Sequence, residues 1–436
     1  MKFISTRNSG NIVSFEKAVL NCIPEDGGLY VPEDFEDKRR WILYTDENTT
    51  FSSIAGALTS AFLKDEFSPI ICETMATKAF SFEPKFKKLG ERFFSLELFN
   101  TPTGSHKDFG IFFLVNCLET ILTLKNQTAV FLDATIGELG ASLARAIRGK
   151  KRLKGVLLYP KGMVRGLSET DYVWNGGNIL PIEVDGTEKD CHNIVRKIFS
   201  SKSLVEDFRL TVANTANIGR LIPQSFFYPF AFSRLKKQTS GDIFYALAPG
   251  NYSNLVAGLY SWKVYLPLSG FIIPVTDEIK LDFHGNCQIM DSIVSLTERE
   301  KVDPASPSNL ERLEDIFRTD SLMLKNFVFP SDVSESSAVS ACQELFSKYG
   351  VYADKNTSAA YAALREKKEL IDEDEASVVL VMRDHPALSH DFIKHCLGES
   401  PDVPDFVSSA MKPVELGKKF VTSADEVVSL MKGLSV

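Results

Sequence analysis

Lys107 stands in the stretch FFSLELFNTPTGSHKDFGIFFLV. There a β-like run from Phe93 to Phe99 passes through a Pro/Thr/Gly turn into a helical pattern that begins near Asp108. The positive end of a helix dipole and apolar neighbours both favour the neutral, nucleophilic form of a lysine held there. A neutral amine condenses with a carbonyl to a Schiff base, and the carbonyl that proteins usually keep bound this way is that of pyridoxal 5'-phosphate. Without companions, Lys107 reads as the solvated surface charge that most lysines at helix starts are.

Two companions exist. In ALAPGNYSNLVAGL a buried strand runs into Pro249, Gly250, Asn251, Tyr252, Ser253 and Asn254, and a helix starts at once. Small and polar residues at a helix N-terminus leave several N–H groups unpaired beside the positive dipole end, a cradle for a phosphate. The plain alternative is a capped turn with Ser253 or Asn254 as the cap. Beside a candidate Schiff-base lysine the phosphate reading is the better one. In LDATIGELGASLA, Thr135, Gly137 and Gly140 open another helix after another strand. Its amides could hold a second anion such as an amino-acid carboxylate, although tight helix packing explains the glycines equally well.

The elements that must carry these turns alternate. TAVFLDA leads to the helical ELGASLARAIRGK; GVLLYP follows; NILPIEVDG precedes TEKDCHNIVRKIF with Thr187 as N-cap; then come LTVAN, DIFYALAPG with its helix, and SVVLVM before the polar RDHPALSHDF. This alternation predicts an α/β fold of parallel sheets covered by helices, with ligands beyond the carboxyl ends of strands. The chain has 436 residues, enough for two or three domains. Boundaries are expected near Gly90 and Lys237, giving an N-terminal domain (1–90), a small αβ domain bearing Lys107 (91–237) and a large αβ domain with the phosphate loop (238–436).

Composition narrows the class. Hydrophobic residues at 44% and charged residues at 24% are those of a soluble globular protein. A formal charge of −8 offers no basic field for nucleic acid or an anionic membrane. The first twenty residues lack a continuous apolar core for a secretory signal, and the most apolar stretch, LVAGLYSWKVYLPLSGFIIPV, is broken by Lys263, Pro267 and Gly270, so it reads as a buried helix and a strand. Seven cysteines without a CxxC pair fit reduced thiols in a cytosol, and the six histidines show no metal-ligand spacing.

Read in order, several strings resemble one family. STR (Ser5 to Arg7), PEDGGLYVP (Pro24 to Pro32), NTPTGSHKDFG around Lys107, IGELG (Ile136 to Gly140), ANTANIGRLIPQ (Ala213 to Gln224), PGNYSN, DPASPSNLERL (Asp303 to Leu313), GVYADKNTSAAYAAL (Gly350 to Leu364) and DHP (Asp384 to Pro386) follow one another as in the threonine synthases. The chain thus resembles, over almost its full length, pyridoxal-phosphate enzymes of fold type II. The resemblance implies a tryptophan synthase β-like architecture: two open, mostly parallel sheets flanked by helices, plus an N-terminal domain.

It also implies a reaction. O-phosphohomoserine displaces Lys107 from the cofactor, the freed amine moves protons at Cα and Cβ, phosphate leaves from Cγ, and water adds at Cβ to give threonine. By match, Lys107 carries the cofactor, and Gly250, Asn251, Tyr252, Ser253 and Asn254 cradle its phosphate. Ser105, Thr135, Gly137, Glu138, Gly140, Arg220 and Asn309 fall at the substrate end. For Arg220 a structural salt bridge, and for Asn309 a helix cap, are the alternatives. The implied partner is a small phosphorylated amino acid, and the implied assembly a cytoplasmic monomer or homodimer.

Three departures are chemical. Ile136 and Leu139 stand where the family's Ser-Gly-Asp-Thr-Gly loop has hydroxyls, and Glu138 where it has Asp, so two donors to a carboxylate are lost. Arg383 stands where a small polar residue meets the pyridine nitrogen; a guanidinium cannot accept a proton and would weaken the ring as an electron sink, unless it swings out to a surface carboxylate. His106 replaces an aromatic and is expected as a packed, hydrogen-bonded ring or an extra acid/base. Two further readings therefore stand beside a threonine synthase: a pyridoxal-phosphate lyase for another phosphorylated amino compound, and a catalytically weakened cofactor-binding paralogue.

Overall fold

Short apolar strands that alternate with amphipathic helices form two parallel sheets in the computed structural model, which describes residues 1–290, 294–373 and 375–434. The smaller sheet places Ile179–Val184, Leu153–Pro160, Ala129–Ala134 and Leu210–Thr211 side by side, all parallel. The larger runs Val328–Ser331, Gly270–Pro274, Ile243–Ala246, Ser377–Met382, Phe93–Glu97 and Lys85–Lys88, the last antiparallel to its neighbour. Ser377–Met382 sits inside this sheet and every residue of it is buried, as its unbroken apolar run requires. Lys85–Lys88 reads KFKK, and charged side chains on an exposed edge oppose pairing with a further strand.

Strand pairing crosses the division expected near Gly90 and Lys237. Phe93–Glu97 leads to Lys107, yet it hydrogen-bonds to Ser377–Met382 in the register Phe93↔Val378 to Glu97↔Met382 and belongs to the larger sheet. The four strands of the smaller sheet all fall between Ala129 and Thr211. Segment 1–90 contributes the edge strand Lys85–Lys88 to the larger sheet. Sheet membership is decided by which backbone groups meet, and periodicity along the chain carries no record of a partner so distant.

The 19-residue helix Lys107–Lys125 packs against helices Pro69–Ala79 and Glu138–Ile147 and is almost wholly buried along its apolar face. Phe109 meets Phe51 edge-on at 5.2 Å and Phe227 at 5.0 Å, while Phe113 stacks with Phe80 at 6.1 Å. Aromatic pairs of this kind contribute about 0.5–1.5 kcal/mol each beyond their burial. They lock the N-terminal segment and the Lys107 helix into one core.

The N-terminal strings have a structural task. Phe3–Ser5 pairs antiparallel with Tyr30–Pro32, Ser5 donates to Asp26 (2.8 Å), and Thr6 and Arg7 both bind Glu311. Arg312, fully buried, donates to the Tyr30 carbonyl at 3.0 Å. All seven cysteines are free thiols, and among the described residues no helix is long and apolar enough to cross a membrane.

Candidate active site

Lys107 is the first residue of its helix, as the turn chemistry predicted. The turn is fixed by a short antiparallel contact with the segment that leaves strand Ser377–Met382. Leu98 N–H donates to the Met382 carbonyl, His106 N–H to the Arg383 carbonyl, and His385 N–H to the Gly104 carbonyl, at 2.7–2.8 Å. Gly104 allows this with φ +77°; a Cβ there would also stand 2.8 Å from Val407. Asp108, fully buried, accepts from Thr103 N–H (2.7 Å) and from the Ser142 hydroxyl (2.5 Å), which ties the turn to the neighbouring helix Glu138–Ile147. Burial pushes the Asp108 carboxyl up, and these donors oppose the shift.

The Lys107 ammonium is ion-paired with the Glu138 carboxylate, the two side chains being 34% and 38% exposed. A carboxylate thus replaces the expected apolar border. At that exposure the contact is open to water and ions and can be released.

The glycine turn after strand Ile243–Ala246 fits a phosphate. Gly250 has φ +54° and Tyr252, the residue before helix Ser253–Lys263, has φ +66°; neither Ser253 nor Asn254 caps that helix. Among the described residues the N–H groups of Gly250, Asn251, Asn254 and Leu255 meet no acceptor. The side chains divide. Tyr252 turns away, its hydroxyl bonded to Thr276 and Glu278; Asn251 donates to Thr215 and the Pro307 carbonyl; Asn254 donates to Gln224. Asn251 and Asn254 keep free backbone N–H groups, the Tyr252 N–H is spent on the Pro249 carbonyl (2.8 Å), and the Ser253 hydroxyl is uncommitted.

A cation faces the same turn. A Cβ on Gly250 would lie 2.9 Å from Arg383 Nη1, so the guanidinium reaches the cradle. Arg383 makes no hydrogen bond or ion pair through its side chain among the described residues, so it does not swing out to a surface carboxylate. A turn open only for want of a side chain, with free amides and a partnerless guanidinium, suits the phosphate of the cofactor named above.

The loop at Thr135 is closed by that residue's own side chain. The Thr135 oxygen accepts from Gly137 N–H (2.9 Å) and Gly140 N–H (3.3 Å), so the two glycine amides expected to bind a carboxylate are spent on the turn itself. Ser105 is likewise committed, donating to Asp384 at 2.6 Å and accepting from Lys107 N–H at 3.3 Å. Asn309 occupies the cap position of helix Leu310–Ile316 but makes no side-chain cap bond. Its amide donates to Thr215 and the Asn251 carbonyl, and its oxygen accepts from Arg312 at 2.6 Å. It positions the cradle and has no group left for substrate.

Arg220 is different. It is 4% exposed, one helical turn from Lys107, where a Cβ on Gly110 would lie 2.0 Å from its Nη1. That nitrogen is buried without a hydrogen-bond partner. Burial lowers its pKa to about 10, while Asp108, Asp133 and Asp384 oppose the shift, so it remains a cation at neutral pH. A buried guanidinium that lacks a full set of acceptors is a receptor for an anion.

Two residues gain roles that the motifs did not assign. Asp384 accepts from both Ser105 and His106 Nδ1 (3.2 Å) behind Lys107. Burial acts to raise its pKa, but the His106 contact and the charges of Lys107 and Arg383 outweigh that and hold it well below the usual carboxylate range. Burial pulls His106 down to about 4, so the ring is neutral at pH 7 and is packed and hydrogen-bonded as expected. The place of Asp384 just past a buried strand was the available signal, since ligands collect at such ends. Arg165, which lies across Gly137, stood in no motif.

Residues 2–80 match the family model for the threonine synthase N terminus. A threonine synthase of Buchnera aphidicola subsp. Acyrthosiphon pisum is 30% identical over 407 residues, 93% of each chain. That of Escherichia coli K12 is 29% identical over 406 residues, again 93% of each. The crystal structure of threonine synthase from Escherichia coli aligns with a TM-score of 0.80 at 26% identity, covering 99% of this chain and 100% of that one. The PLP-bound threonine synthase of Brucella melitensis gives the same TM-score at 22% identity over 99% of both chains, a likeness of fold.

Proposed function

This chain belongs to the threonine synthase family, of fold type II, and from that premise we propose that it converts O-phosphohomoserine and water to threonine and phosphate with pyridoxal 5'-phosphate held at Lys107. The observation that carries the reading is the buried guanidinium of Arg220, short of acceptors and one helical turn from the lysine. It supplies a second anion site besides the Gly250–Asn254 cradle, as a substrate with its own phosphate requires.

When bound, the cofactor supplies an electron sink for carbanions at the substrate's Cα and Cβ. The protein's part is positional and electrostatic. Gly250, Asn251 and Asn254 present amides, and Ser253 its hydroxyl, to the cofactor phosphate, with Arg383 beside them. Lys107, held at the start of a locked helix, reaches the carbons and carries their protons. Glu138 provides the counter-charge against which its ammonium rests. Arg220 holds the departing phosphate. Asp384, fixed by Ser105 and His106, offsets the positive charge gathered by Lys107, Arg220 and Arg383. Reduced thiols and the soluble composition support a cytoplasmic setting.

The altered Thr135–Gly140 loop supports a second reading, a lyase for another phosphorylated amino compound. Phosphate release from O-phosphohomoserine, O-phosphoserine and phosphoethanolamine separates the two. Release from the first alone is expected; turnover only of another rejects the synthase assignment. Lys107→Ala is expected to abolish both release and the colour of the bound cofactor, and activity that survives it would place catalysis elsewhere.

A further inference from the structure

The Thr135–Gly140 loop has lost hydroxyl donors and turned two amides inward, yet a cation lies directly over it. A Cβ on Gly137 would stand 1.9 Å from Arg165 Nε, 2.6 Å from its Cγ and 2.7 Å from its Cδ, so the arginine side chain runs across the bare face of that glycine. The segment that carries it is anchored: Gly166 N–H donates to the Lys412 carbonyl and Val414 N–H to the Val164 carbonyl, both at 2.9 Å. Arg165 makes no side-chain hydrogen bond or ion pair among the described residues. Glu138, which lines the same cavity, is engaged by Lys107.

A second group faces the loop from beneath. The Tyr159 hydroxyl is fully buried, has no hydrogen-bond partner, and ends 2.1 Å from where a Cβ on Gly140 would stand. Beside Arg165 is a cavity of about 40 Å³ lined by Thr103, Glu138, Arg165, Leu388, Ala410 and Met411. A small polar group fits there.

We propose that Arg165 is the carboxylate anchor of this site. The proposal rests on the reading of the chain as an amino-acid enzyme and names how it holds the α-carboxylate. The guanidinium, with the free amides of Glu138 and Leu139 at the start of helix Glu138–Ile147, takes the place of the missing hydroxyls. An arginine fork binds a carboxylate through two charge-assisted bonds, which one cation can supply where several neutral donors have gone. It also offsets the like charge of Glu138. Gly137 is required because any side chain there would displace the arginine. The substrate class that follows is an α-amino acid, and an amine without the carboxylate is excluded.

The test is a spectral titration of the full-length holoenzyme, following the bound cofactor, with L-2-aminobutyrate and with 1-aminopropane, the same molecule without its carboxylate. Arg165→Met is expected to weaken the amino acid about 10- to 100-fold and to leave the amine within about twofold. Arg165→Lys, which keeps the charge but loses the fork, is expected to fall between and guards against misfolding of the methionine variant. Equal weakening of both ligands, unchanged affinity for the amino acid, or no response of the unmutated protein to it overturns the proposal. A protein that fails to release phosphate from O-phosphohomoserine but keeps the amino-acid preference refutes the proposed reaction and not this anchor.

Discussion

Removing Asp384 should expose how tightly the Lys107 turn depends on His106. The carboxylate accepts from Ser105 at 2.6 Å and from His106 Nδ1 at 3.2 Å inside a buried pocket. Hydrogen bonds to a charged acceptor contribute about 1.5–3 kcal/mol each. Asp384→Ala leaves both donors unpaired and is expected to cost about 3–5 kcal/mol. His106→Phe, with an aromatic of similar shape, forfeits the imidazole bond alone, about 1.5–3 kcal/mol. The double variant cannot lose that bond twice, so the sum of the single effects should exceed the double effect by about 1.5–3 kcal/mol. Urea unfolding of the four proteins at pH 7 measures the cycle. Additivity within about 0.5 kcal/mol would refute the contact as an energetic unit. His106 carries a pH signature as well. Its folded pKa of about 4 lies below its ordinary 6.5, so the unfolded chain takes up a proton first and stability falls as pH drops through that window. The fall is about 3 kcal/mol, and His106→Phe should remove it.

Asp133 should show the opposite slope: burial raises it from 3.8 to about 7, so stability falls as pH rises across that range, and Asp133→Asn should gain up to about 4 kcal/mol near pH 7 in the same unfolding assay. No gain there would mean that its bonds from Ala213 and Asn214 offset burial. The contributions of His106 and Asp133 oppose each other between pH 4 and 7, so each slope is read from its own variant against the unmutated protein. Gly250→Ala places a Cβ 2.9 Å from Arg383 Nη1 on a backbone at φ +54° and is expected to weaken pyridoxal 5'-phosphate binding at least about tenfold in an absorbance titration. Unchanged affinity would move the phosphate away from this turn.

The lysine turn, the free helix start after Gly250 and the alternation of strands and helices were legible because each is written in neighbouring residues. An apolar run of period two, a glycine turn and a helix of period 3.6 need no distant partner to be recognised. The ordered strings carried the family and with it the architecture. Other features required the folded chain. Phe93–Glu97 joins the larger sheet through Ser377–Met382, and Ser105 meets Asp384 279 positions away. Asn309 and Tyr252 match a ligand-binding pattern, yet their side chains are already bonded to protein. Arg165 belongs to no motif and is brought over Gly137 by the packing of its segment against 412–414. Local spacing fixes where a reactive group can stand; which donors remain free to receive a ligand is settled only when every hydrogen bond in the tertiary structure has found its partner.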